Sequence, residues 1–186
     1  DATVERPLAS ITKIMSAIVA LDLWPKTEIV EATLPRQSNE GISESLMIRE
    51  SWQLQTLLQL MLTKSSNEAA ESLVAHAKLQ GIDFIDLMNK KSLELQLWNT
   101  KFYNASGLDL SSGVAGAVGT AEEVAYLLKY AFEKYPEIFE TTALRGYNVM
   151  SEQGTVYFIE NTNKVAEFLP GLIASKTGFT DLAGGN

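Results

Sequence analysis

Cysteine is absent from the chain, which excludes a disulfide framework and any thiolate metal site. Histidine is nearly absent. His76 alone is too few for a His-based metal site, and it would be the single candidate for a Ser-His-Asp triad. It falls beside the inward stripe Ala69, Ala70, Leu73, Val74 and Ala77 of a helix expected over Glu68–Leu79, and reads as an edge or surface histidine. No block of Lys or Arg stands out, and the formal charge is −8, which argues against nucleic acid or an anionic membrane surface as the main partner. No apolar run approaches the ~20 residues of a membrane span, and no signal peptide opens the sequence. Glycines 113, 116 and 119 are three apart, with no strand before them and no Gly-Lys-Ser/Thr, so no phosphate or dinucleotide loop is present and no cofactor is expected. Internal repeats, low-complexity tracts and linkers are also missing.

What remains is one domain's worth of chain, 186 residues, able to bury a sizeable core. Ile14, Ala17, Ile18 and Leu21 recur at helical spacing, predicting a helix from Ser10 to about Leu23 that Trp24-Pro25 stops. Thr27–Thr33 reads as extended, 34–44 as a turn-rich loop and 45–48 as a short strand. Ser51 is expected to cap a strongly amphipathic helix carrying Leu54, Leu57, Leu58, Met61 and Leu62. Thr63–Asn67 interrupts it, Gly81 ends the next helix, and Ile82–Leu95 predicts another with Ile82, Ile85, Met88 and Leu95 inward. Thr100–Leu110 and Ser111–Gly119 read as loops. Thr120 and Glu123 match a capping box for a helix to about Lys134, whose charges form a solvated face, and Pro136 ends it. Gly146–Met150 and Thr155–Ile159 predict a hairpin, 161–164 a turn and Leu172–Lys176 a strand. A helical middle and a β-like end point to an α+β fold, a helical lobe at about 34–144 inserted between parts of an antiparallel sheet.

Three short patterns occur once each and in order: Ser10-x-x-Lys13, Ser65-Ser66-Asn67 and Lys176-Thr177-Gly178. The first puts a hydroxyl and an amine on one helix face, i and i+3, where they can meet. A serine needs such a base, and a lysine serves as one only when its ammonium is destabilised. Taken singly, each pattern is equally a helix start, a cap or a strand exit. Together they match the set used by class A β-lactamases and penicillin-binding proteins.

With the flanks Pro7-Leu8-Ala9, Ile14-Met15, Glu68-Ala69-Ala70, Asn161-Thr162-Asn163 and Phe179-Thr180-Asp181-x-Ala183-Gly184, the chain resembles the low-molecular-weight penicillin-binding proteins. These are the serine D-Ala-D-Ala carboxypeptidases with their DD-endopeptidase relatives. Weaker agreement over Asn99–Leu108 and Thr120–Leu128 carries the resemblance across most of the chain. It implies a DD-peptidase-like fold and cleavage of peptidoglycan stem peptides at D-Ala-D-Ala, or at a D-Ala crosslink, through an acyl-enzyme on Ser10. Lys13 is then the base and Ser65 the proton relay to the leaving amine. Asn67 holds Lys13 and the substrate amide, and Lys176 and Thr177 hold the substrate carboxylate. Gly178 lets the peptide lie close, and Phe179 pairs its backbone N–H with that of Ser10 in an oxyanion hole. Asn161 and Asn163 are assigned to a turn near the site. The resemblance also implies β-lactams as inhibitors and an extracytoplasmic location, with membrane association left to segments outside this chain.

Three alternatives stay open: a β-lactamase, a non-catalytic penicillin-binding sensor, and a helical interaction domain that carries the motifs by coincidence. Against the first, no glutamate is followed by asparagine four residues on, as the class A Glu-x-x-Leu-Asn requires. Because the family's sheet begins before its Ser-x-x-Lys and continues past its Lys-Thr-Gly, residues 1–186 are expected to be a single domain truncated at both ends, lacking flanking strands.

Overall fold

The computed structural model describes residues 1–32 and 50–185. The loop at 34–44, the strand at 45–48 and the start of the helical lobe therefore lie outside the described residues. The fold is α+β, as expected, with helices packed around one central helix and small antiparallel sheets at the periphery.

The central helix, α1 (Lys13–Leu23), is apolar nearly all round, and a helix of that kind has to be enclosed. Lys13 through Ala20 are all buried, and α2 (Leu54–Thr63), α3 (Asn67–Leu79), α4 (Phe84–Glu94) and α5 (Ala121–Lys134) pack around it. A 3₁₀ turn over Ala9–Thr12 leads into α1, so the helical path begins where expected but opens with a tighter turn. Trp24 leaves in an extended conformation ahead of Pro25. Its ring stacks on Phe84 at 6.2 Å and meets the edge of His76 at 5.0 Å. His76 is half-buried and bonds to Glu28 and Gln80, each at 3.0 Å.

In α2 the expected stripe is buried, and so is Leu60; α6 (Pro136–Phe139) packs against this helix. Ser51 is not its cap. It lies in β3 (Ser51–Gln53), paired antiparallel with β2 (Ile29–Glu31), and the cap position falls to Gln53. The ladder wins because Trp52, fully buried opposite Val30, fixes the segment as strand. The next helix boundaries follow their chemistry. Ser66 caps α3, Gly81 ends it at φ +72°, and Asp83 caps α4 by accepting from the Asp86 N–H. In α4 the buried residues are Phe84, Met88 and Ser92; Ile85 is only partly covered.

Both predicted loops contain a strand. β4 (Lys101–Phe102) and β5 (Ala117–Gly119) join β1 (Arg6–Pro7) in a sheet ordered β1-β5-β4. These strands are too short for an alternating pattern, and their partners come from distant sequence. The sheet anchors the residues ahead of Ser10, with the Leu8 N–H donating to the Ala117 carbonyl at 3.0 Å. At α5, Thr120 caps as expected by accepting from the Glu123 N–H. The Glu123 carboxylate, read as solvated, instead crosses to the Asn99 backbone and the Thr100 hydroxyl.

The hairpin β6 (Gly146–Met150) and β7 (Val156–Glu160) forms within a residue of its expected bounds. Leu172–Lys176 is not a strand. The Ser175 N–H and hydroxyl both bond to Thr142 in a 3₁₀ turn over Glu140–Ala143, and pairing begins only at β8 (Phe179–Thr180), which folds back on β9 (Gly184–Gly185). Among the described residues no helix is long and apolar enough to cross a membrane.

Candidate active site

The three motifs meet at the start of α1. Lys13 is fully buried there, and its Nζ contacts three oxygens: Ser10 Oγ at 2.7 Å, Asn67 Oδ1 at 2.8 Å and the Ser106 carbonyl at 2.6 Å. Burial and then the nearby Lys176 charge hold this amine well below the usual lysine range, against the opposing pull of Glu68 and Glu71. Proton counting then fixes a direction. A neutral amine has two N–H bonds and one lone pair. The Asn67 and Ser106 oxygens only accept, so they take the two protons, and the lone pair is left facing the one partner that can donate, the Ser10 hydroxyl. Losing its proton thus turns Lys13 into a base aimed at Ser10.

Ser65 and Asn67 escape the capping role that each could have filled. Ser66 accepts from the Ala69 N–H at 3.1 Å and donates to Glu68 Oε2, so it is the cap. Its neighbours are left for the site. Ser65 sits at φ +60°, and its Oγ accepts from Lys176 Nζ at 2.7 Å. Lys176 also donates to the Thr177 carbonyl, and burial brings its own amine down to about 7. The Thr177 hydroxyl is 2.6 Å from that of Thr162.

Gly178 lies against the turn that carries Ser10. A Cβ there would come within 3.3 Å of the Ser10 nitrogen, the Leu8 carbonyl and the Ala9 Cβ, so a side chain would press on the Ser10 N–H. Phe179 follows with its ring 71% exposed. All eight expected residues therefore fall around this one centre, and His76 is held elsewhere by Glu28 and Gln80.

Other contributors escaped the sequence reading. Ala9, one residue before Ser10, is held at φ +46°. Gly107 packs so tightly beneath it that a Cβ would lie 1.8 Å from the Ala9 carbonyl oxygen. Asn104 shapes that loop, accepting from the Gly107 N–H at 2.6 Å and donating to the Leu108 carbonyl at 2.8 Å. The pair Ser106-Gly107 after an asparagine is the only available signal, because a backbone carbonyl leaves no mark in the side-chain sequence. Asn161, in its turn, is a buried brace donating to the carbonyls of Thr142 and Leu144, each at 2.7 Å. A cavity of about 430 Å³ elsewhere, lined by Glu94, Asn99, Glu122, Glu123 and Tyr126 among others, includes no residue of the three motifs.

Comparison with known proteins places these motifs in context. Among curated relatives, the chain is 31% identical over 184 residues to the D-alanyl-D-alanine endopeptidase of Escherichia coli, covering 96% of this chain and 57% of that protein. It is 28% identical to the D-alanyl-D-alanine carboxypeptidase DacF of Bacillus subtilis, over 92% of this chain and 44% of that protein. The chain thus spans about half the length of these relatives. Among solved structures, penicillin-binding protein D2 from Listeria monocytogenes in its cefotaxime-bound form superposes with a TM-score of 0.80 at 31% identity, covering 99% of this chain and 74% of that one. The D-alanyl-D-alanine carboxypeptidase from Mycobacterium tuberculosis gives 0.82 at 28% identity, over 100% of this chain and 68% of that one. The family model described as D-alanyl-D-alanine carboxypeptidase matches residues 1–186, and the chain belongs to that family, peptidase S11.

Proposed function

We propose that this chain carries the catalytic centre of a serine DD-peptidase that cleaves peptidoglycan stem peptides at D-Ala-D-Ala, or at a D-Ala crosslink, and is acylated by β-lactams. The observation that carries this reading is the contact at 2.7 Å between the Ser10 hydroxyl and a Lys13 amine whose pKa burial lowers, with acceptor oxygens on its other two sides. Ser10 Oγ adds to the carbonyl carbon of the penultimate D-alanine as its proton passes to Lys13 Nζ. The oxyanion is taken by the N–H groups of Ser10 and Phe179, and losing one such donor typically costs ~10²–10³ in rate. Collapse breaks the C–N bond. Ser65, already bonded to Lys176, passes a proton to the leaving amine. The proton that Lys13 took from Ser10 replaces the one Ser65 gave up, so Lys13 is neutral again when water attacks the ester; it takes the water's proton and passes it to Ser10 Oγ as the ester C–O bond breaks.

Lys176 and Thr177 receive the terminal carboxylate, with Asn67 beside the substrate amide. The Lys176 amine sits near 7 in the free site, and an arriving carboxylate raises it, so charge is completed on binding. Peptidoglycan as substrate places the protein outside the cytoplasm. The test is mass spectrometry after incubation with a labelled penicillin, paired with D-alanine release from diacetyl-Lys-D-Ala-D-Ala. A covalent adduct on Ser10, lost in Ser10→Ala, together with steady D-alanine release, is the expected outcome. An adduct without release would leave a penicillin-binding sensor, and rapid nitrocefin turnover would indicate a β-lactamase. Absence of any adduct would overturn the proposal.

A further inference from the structure

Thr162 stands in the turn after β7, outside the three motifs, and its side chain is exposed. Its Oγ1 lies 2.6 Å from Thr177 Oγ1 and 3.3 Å from the Thr63 carbonyl, to which it donates. The Thr162 N–H donates to that same carbonyl at 3.1 Å. Thr63 ends α2, two residues ahead of Ser65. Thr162 therefore joins the loop that carries Ser65 to the segment that carries Lys176 and Thr177.

The protons again decide what this bridge does. Thr162 has one hydroxyl proton and two oxygens within reach. While it points to the Thr63 carbonyl, the short contact to Thr177 requires Thr177 to donate, which turns the Thr177 proton away from any ligand. When a carboxylate takes the Thr177 proton, that contact survives only if Thr162 swings its own proton from Thr63 to Thr177. The Thr63 carbonyl tolerates the exchange, since it keeps the Thr162 N–H. A hydroxyl that accepts one hydrogen bond while donating another is polarised into a stronger donor.

We propose that Thr162 is a positioning residue: as substrate arrives its hydroxyl swings from the Thr63 carbonyl to donate to Thr177, which leaves the Thr177 proton for a terminal carboxylate and so favours substrates that end in a free carboxylate over those that do not. The inference rests on the reading above of Thr177 as a carboxylate ligand. It predicts an effect confined to binding of one substrate class, because Thr162 touches neither Ser10 nor Lys13.

The test compares wild type, Thr162→Val and Thr162→Ser on diacetyl-Lys-D-Ala-D-Ala and on the same peptide ending in a carboxamide. Valine keeps the branched shape and the backbone N–H but removes the hydroxyl. Loss of one net hydrogen bond corresponds to about threefold to tenfold in KM for the free carboxylate, with kcat held within about twofold. The carboxamide peptide should be unaffected, and serine should restore the wild-type KM. An unchanged KM in Thr162→Val, or an equal rise on both peptides, overturns the inference while leaving the catalytic reading intact. If wild type itself neither releases D-alanine nor takes up labelled penicillin, the catalytic reading falls and this inference with it.

Discussion

Replacing Gly107 by alanine tests whether a backbone carbonyl, rather than a side chain, holds Lys13 in place. Two costs combine at this position. Gly107 sits at φ +79°, and a left-handed conformation costs an L-residue about 1–2 kcal/mol. The added Cβ would also lie 1.8 Å from the Ala9 carbonyl oxygen, 2.5 Å from its carbon and 2.7 Å from Thr12 Oγ1. Two of these atoms are backbone in the buried turn before Ser10, so relief requires the chain to move, and overpacking of this kind typically adds about 1–3 kcal/mol. Together these correspond to a melting temperature lower by about 5–15 °C for a chain of this size.

The larger consequence is chemical. Either Ala9 shifts, carrying the Ser10 N–H with it, or the 106–107 peptide shifts and its carbonyl leaves Lys13 Nζ, now 2.6 Å away. A displacement of ~1 Å at a reacting group is worth about 10²-fold in rate. The assay is acylation by a fluorescent penicillin, with a thermal melt in parallel. Gly81→Ala is the internal control, since Gly81 has a similar φ of +72° but nothing within 4 Å of the added Cβ. It should pay only the conformational cost and acylate at the wild-type rate. If Gly107→Ala acylates within twofold of wild type, or melts no lower than Gly81→Ala, the account of this contact is wrong.

Two further outcomes follow from other contacts. The KM for a carboxylate-ended peptide should be flat below pH 7 and rise above it, as the Lys176 amine, held at about 7 by burial, loses its charge; Lys176→Arg should abolish the rise. In stability the sign runs the other way. Above about 7 the unfolded chain keeps a proton that the folded chain has lost, so stability climbs with pH, and the pH-dependent gain in melting temperature from Lys176→Met should be fullest below 7 and fade above it. A difference constant from pH 5 to 10 would refute this. Finally, Ser66→Ala should cost about 1 kcal/mol as a lost helix cap, while Ser51→Ala, in a strand, should cost under ~0.5 kcal/mol. Equal costs in denaturant titration would show that the two serines have been assigned the wrong roles.

How much could be read in advance depended on where each signal resided. Long helices announced themselves through periodicity, because Leu54, Leu57, Leu58, Met61 and Leu62 must all be buried by one face. The hairpin was equally legible from two alternating runs and a short turn. Strands of two or three residues, such as Lys101–Phe102 and Ala117–Gly119, have no period to detect, and their pairing is decided by sequence-distant partners. Ser51 misled because capping chemistry and strand entry use the same residue type, and only the burial of Trp52 against Val30 separates them. At the site, motif side chains were visible as letters. The Ser106 carbonyl, the left-handed Ala9 and the fit of Gly107 beneath it were not, since each is a property of the main chain.

One consequence follows from the burial of eight consecutive residues, Lys13 through Ala20, in α1. Lys13 lies in the longest unbroken buried run among the described residues, so no partial loosening of a peripheral loop exposes it to water. Amide protons along that segment should exchange with solvent only when the entire domain opens. Heat should therefore abolish catalysis and structure in a single event, with no inactive but still folded species in between.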